Sequence, residues 1–108
     1  MEILNINHVN LIGQISNEPR FSEENGTIKA TFSLRTNEPY LDEEGKTMRM
    51  SNWHNIVATG RLARLIQELG YKSRPLGVQG RMVSRFYKNK KGLRQTIIAV
   101  EASDLTII

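Results

Sequence analysis

Residues 51–69 read Ser-Asn-Trp-His-Asn-Ile-Val-Ala-Thr-Gly-Arg-Leu-Ala-Arg-Leu-Ile-Gln-Glu-Leu, and two periods meet in them. Trp53, Asn55, Val57 and Thr59 alternate with His54, Ile56 and Ala58, the period of a strand with two usable faces. Gly60 breaks that strand. Leu62, Leu65, Ile66 and Leu69 then recur at helical spacing among Arg61, Arg64 and Gln67, a short amphipathic helix. Gly70 stands where a C-cap glycine belongs. A strand thus feeds directly into a helix, and the rest of the chain reads as short strands and loops.

On the N-terminal side, residues 1–6 read as an arm or an extension of the first strand. Val9, Leu11 and Ile15 give that strand an apolar face, and Gly13 within it marks a bulge or a bend,. Residues 17–20, with Pro19, form a turn. Glu24-Asn25-Gly26 is a hairpin signal. In residues 27–35, Ile28, Ala30, Phe32 and Leu34 alternate with Lys29, Thr31, Ser33 and Arg35, which makes a half-buried second strand. Residues 36–50 read as a long polar connection. Its acidic run, Asp42-Glu43-Glu44, fits a solvated hairpin tip better than a metal site, since consecutive carboxylates do not readily face one ion.

On the C-terminal side, residues 71–75 link the helix to a strand over residues 76–87. There Leu76, Val78, Gly80, Met82, Ser84 and Phe86 share one parity, and Gln79, Arg81, Val83, Arg85 and Tyr87 the other. Lys88-Asn89-Lys90-Lys91-Gly92 is a basic hairpin loop, and the last main strand starts at Leu93. Five strands with one helix between the third and fourth, bent at glycines, make an all-β, five-stranded Greek-key barrel, the OB-fold. A sandwich needs more strands and a parallel α/β fold more helices.

The length of 108 residues suits one domain, 1–108,. The N-terminus lacks a basic stretch leading into an apolar run, so no signal peptide is expected, and no apolar run approaches a membrane span. A cytoplasmic setting is the default. With no cysteine and only His8 and His54, a transition-metal site and a cofactor are not expected,. The charge is unevenly spread. Residues 1–60 hold five Lys/Arg and eight Asp/Glu, a balance of −3, whereas residues 61–108 hold ten and three, a balance of +7. A one-sided basic half points to an anionic partner, of which nucleic acid is the commonest.

Several pieces together resemble the bacterial single-stranded DNA-binding protein family. They are Asn7-His8-Val9-Asn10-Leu11-Ile12-Gly13, Phe32-Ser33-Leu34-Arg35-Thr36, Trp53-His54-Asn55-Ile56-Val57, Gly60-Arg61-Leu62-Ala63 and residues 78–87, Val-Gln-Gly-Arg-Met-Val-Ser-Arg-Phe-Tyr. The resemblance implies a non-enzymatic protein, associated with the nucleoid, that coats single strands in replication, recombination or repair. It places stacking aromatics at Tyr40, Trp53 and Tyr87, and a subunit interface at His54, Asn7 and Val9. A homotetramer is the family's usual assembly and a dimer the alternative. The acidic C-terminal tail that many members use to recruit replication and repair partners is not within this sequence, which stops at Thr106-Ile107-Ile108 as either a tailless member or a truncated piece, so tail-mediated partners are not expected. Thr59 stands where an aromatic is common and Asn55 where a basic residue is. The turn at residues 18–21 is shorter than usual. Weaker binding or a smaller site per subunit is therefore expected.

The residues themselves support parts of this. Trp53 shares its face with Asn55 and Thr59, too polar a face for a core. Tyr87 shares its face with Arg81 and Arg85, and Tyr40 falls in the polar connection. Phe86 has core parity and reads as packing. Arg85, Lys88, Lys90, Lys91 and Arg94 put five cations on one ribbon, an arrangement that favours phosphate; Arg35 and Arg81 join them as expected contacts. One alternative is a primosome-type adaptor of the same fold, acting mainly through protein contacts. The rival class, a metal-dependent nuclease, needs carboxylates converging on a metal, and here they fall mostly at predicted loop tips.

Overall fold

The structure is a computed structural model and describes residues 4–108; the first part of the expected arm, residues 1–3, lies outside the described residues. Its elements are β1 (Val9–Ile15), β2 (Arg20–Glu24), β3 (Thr27–Leu41), β4 (Thr47–Thr59), α1 (Arg61–Leu69), β5 (Pro75–Lys88) and β6 (Arg94–Ile107). Five strands close a ring in the order β1-β5-β6-β4-β3, and β3 returns to β1 through Gln14↔Arg35 and Ile15↔Leu34. β4 and β6 run parallel at Ile56↔Val100 and Val57↔Glu101, and the other pairs are antiparallel. This is the expected barrel with its helix after the Trp53 strand. The extra strand is β2, which lengthens the sheet along the start of β3.

Alternation decides what the barrel encloses. Ala30, Phe32 and Leu34 of β3 meet Ile56 and Ala58 of β4 and Leu76 and Val78 of β5 in one core. Leu62, Ala63 and Ile66 of α1 pack against the same cluster. Each large apolar side chain buried this way contributes about 1.5–3 kcal/mol. Gly60 takes φ +61°, and its N–H bonds to the Ile28 carbonyl at 2.9 Å, which turns β4 into α1. Gly70 is extended (φ −92°) and so not the left-handed cap the sequence implies. Its N–H still bonds to the Ile66 carbonyl at 2.8 Å.

Two glycines allow the ring to close tightly. A Cβ at Gly13 would run into the carbonyl of Arg35, and one at Gly80 into the carbonyl of Glu101. Gly13 is where β1 passes from β5 to β3, the bend expected there. Opposite Gly80 the pairing steps from Gln79↔Asp104 to Gly80↔Ala102, leaving Ser103 as the bulged residue.

Residues 36–50 are not a loop. β3 and β4 stay paired in unbroken register out to Leu41↔Thr47, so this stretch is a two-stranded ribbon with a short tip. Asp42 builds that tip, its Oδ1 accepting from the N–H groups of Glu44 and Lys46 at 2.9 and 2.8 Å. The acidic run is therefore turn structure. β5 and β6 make a second ribbon, closed by Asn89, whose Oδ1 accepts from Lys91 N–H at 2.9 Å and Leu93 N–H at 3.0 Å. Among the described residues no helix is long and apolar enough to cross a membrane.

Candidate nucleic-acid interface

The outer faces of β3, β4, β6 and β5 form one continuous surface. Direct pairing puts Arg35 opposite Trp53, Ser33 opposite Asn55, Thr31 opposite Val57 and Lys29 opposite Thr59. Val57 pairs in turn with Glu101, Glu101 with Arg81, Ala99 with Val83, Ile97 with Arg85 and Gln95 with Tyr87. A groove of about 470 Å³ runs along this surface. Its lining includes Lys29, Thr31 and Ser33 from β3, Asn55 and Val57 from β4, and Arg85, Ile97 and Ala99 from the second ribbon. Trp53 lies two residues beyond Asn55 on β4 and Tyr87 two beyond Arg85 on β5, so both aromatics stand next to residues that line the groove.

Trp53 is 63% exposed. It stands free of the core, on the polar face the sequence indicates. Tyr87 is also exposed, and its hydroxyl donates to Gln95 Oε1. Tyr40 is exposed but pairs with Met48, which by alternation sets it on the ribbon face opposite Trp53. The polar connection expected around it is a paired strand, from which it projects. Phe86 is 58% exposed and does not pack inward. Its parity matches that of Met82 and Val78, but the barrel ends before it is reached.

The cations divide between two faces. Arg81 and Arg85 share the Tyr87 face, and both are held by Glu101, at 3.2 and 3.4 Å. Lys88 and Arg94 pair directly with each other on the Phe86 face, and Arg94 lies 3.9 Å from the Phe86 ring centroid. Lys90 and Lys91 occupy the tip. The five cations read as one cluster are thus split by the pleat. Arg35 is half-buried; it donates to Gln14 Oε1 at 3.1 Å and ties β3 to β1 beside Trp53. Lys29 and Arg20 line the groove and were missed as contacts. The alternation of residues 27–35 already places Lys29 with Arg35, but Arg20 belongs to a strand with no clear sequence pattern.

His54 faces inward from Trp53 and is half-buried. Its Nε2 lies 2.9 Å from Thr36 Oγ1, whose hydroxyl is 2.8 Å from Glu38 Oε1. Asn7 bonds in duplicate to the backbone of Met82: its Nδ2 donates to the carbonyl at 2.8 Å and its Oδ1 accepts from the N–H at 2.9 Å. One side chain thereby extends the β1–β5 pairing by a residue. Val9 is half-buried against the core, while Ile12 of the same strand is 70% exposed.

A closed mixed barrel that presents an exposed tryptophan and a basic groove on its outer sheet defines an OB-fold binding module. The chain belongs to the single-strand binding protein family, whose model matches residues 6–108. It is 30% identical over 105 residues to single-stranded DNA-binding protein 1 of Chlorobaculum tepidum, covering 95% of this chain and 65% of that protein. It is 28% identical over 106 residues to the single-stranded DNA-binding protein of Neisseria meningitidis serogroup A, covering 97% and 61%. The chain therefore spans under two thirds of the length of these curated relatives. Among solved structures it is similar to the Plasmodium falciparum SSB in complex with ssDNA. The TM-score is 0.89 and the identity 30%, with 100% of this chain and 99% of that chain covered.

Proposed function

We propose that residues 1–108 form one domain that binds single-stranded DNA without sequence preference and catalyses no reaction. The observation that carries this is Trp53, exposed beside Asn55 of a groove edged by Lys29, Arg20 and Arg85. Every base has a π-face, so stacking on Trp53 and Tyr87 tolerates any sequence and yields about 1–3 kcal/mol per base. Lys29, Arg20, Arg85 and the tip residues Lys90 and Lys91 take the phosphates, with Arg35, Arg81, Lys88 and Arg94 behind or beside them. Tyr40 engages strands that continue past the barrel onto the first ribbon. Coating of this kind protects single strands during replication, recombination or repair, in the cytoplasm. The assembly is a homo-oligomer, a tetramer or else a dimer, with the exposed side of β1 and the surroundings of Asn7, Val9 and His54 as its contact.

The test is titration of oligo(dT) against the intrinsic fluorescence, whose only tryptophan is Trp53, at low and high salt and with duplex as competitor. Quenching by single strands that duplex does not reproduce is the expected result. No quenching together with no gel shift overturns the proposal.

A further inference from the structure

We infer that the β5–β6 ribbon carries a second stacking site for single-stranded DNA on the face opposite Tyr87, built from Phe86, Arg94 and Lys88. This rests on the function proposed above and extends it to a surface outside the groove.

The ribbon stands clear of the barrel. β1 pairs with β5 no further out than Gly80, and β4 pairs with β6 only at Val100 and Glu101. Residues 83–88 and 94–97 thus have no third strand beside them; the Tyr87 face borders the groove and the Phe86 face is open. The two faces differ in charge. On the Tyr87 side the guanidinium groups of Arg81 and Arg85 are both engaged by Glu101. On the Phe86 side, among the described residues, no carboxylate lies within ion-pair distance of Lys88 or Arg94. These two like charges sit directly opposite each other, an unfavourable cross-strand pair that an anion would relieve.

Geometry supplies the rest. Arg94 lies over the Phe86 ring at 3.9 Å, the stacked arrangement in which a guanidinium and an aromatic ring attract. A nucleobase adds to that stack on the outer guanidinium plane or on the open ring face, since bases stack on both kinds of surface. The guanidinium edge and the Lys88 ammonium then point at the flanking phosphates. Lys90 and Lys91 at the tip bridge the two faces, so a strand leaving Tyr87 crosses cations before it reaches Phe86. A second copy of this chain fits the face less well, because its own Lys88 and Arg94 would be brought against these.

The experiment compares wild type, Phe86→Ala and Phe86→Trp with a short oligo(dT), about 8 nucleotides, within the reach of one barrel, and a long one of about 35. Trp53 quenching is the readout for wild type and Phe86→Ala, and fluorescence anisotropy of a labelled oligo for all three. The long-to-short affinity ratio is expected to fall about tenfold in Phe86→Ala and to be kept in Phe86→Trp. An unchanged ratio in Phe86→Ala, with wild type binding normally, overturns the inference alone. A change of oligomeric state by light scattering without a change of ratio assigns the face to contact between copies and also overturns it. Wild type that fails to bind either oligo removes the proposed function and this inference with it.

Discussion

Trp53 shows how much a single side chain discloses about itself. Its neighbours in alternation, Asn55 and Thr59, are polar, and burying such a face would leave unpaired groups; exposure follows from the sequence. Trp53→Ala is expected to weaken oligo(dT) binding about tenfold, measured by anisotropy because the intrinsic reporter is lost. Phe86 was misread for a reason that is equally local. Parity separates inside from outside only where an inside exists, and beyond Gly80 the strand has left the barrel. Glu101 is invisible from sequence as a partner, because its two arginines lie 16 and 20 residues away. Glu101→Gln should release Arg81 and Arg85 toward phosphate and remove a repelling charge. Affinity is expected to rise and the salt dependence to steepen by about 0.7 for each phosphate newly neutralised, read from binding at four or five salt concentrations.

At the level of elements, the barrel strands, the helix and the β5–β6 hairpin were legible and the β3–β4 ribbon was not. Strands that bury one face alternate apolar with polar, and residues 27–35 do so. Residues 36–50 bury little on either side, so they lack the alternation and read as a loop, although their backbone pairs without interruption. β2 escaped notice for the same reason: all five of its residues are exposed. A bare two-stranded ribbon is marginal without its turn, so its tip should respond to small changes. Asn89 accepts two backbone N–H groups there, and Gly92 adopts φ +75°. Gly92→Ala is expected to cost about 1 kcal/mol locally. Hydrogen exchange should quicken in residues 86–95 while the core strands keep their protection.

For the molecule as a whole, closure depends on backbones approaching at Gly13 and Gly80. Gly80→Ala forces a methyl group against the Glu101 carbonyl at the bulge and is expected to lower stability by about 1–3 kcal/mol, seen in a urea melt followed by circular dichroism. The charge asymmetry of the sequence survives folding as a basic second ribbon and a mixed first one, which is why composition alone pointed to an anionic partner. It could not say that the pleat would sort those cations onto opposite faces.

The unaccompanied stretch of β6 has another consequence. Thr96-Ile97-Ile98-Ala99-Val100 is mostly apolar, β-branched in four of five places and uncharged, and residues 94–97 offer a backbone edge that no neighbouring strand covers. Such a segment templates runaway sheet growth between molecules. Repulsion among Arg85, Lys88, Lys90, Lys91 and Arg94, the cations flanking the segment, is expected to oppose edge-to-edge pairing of this ribbon between copies. Replacing the three lysines by glutamine should therefore turn concentrated solutions turbid where the parent stays clear, so colloidal stability and polyanion affinity are drawn from the same five side chains.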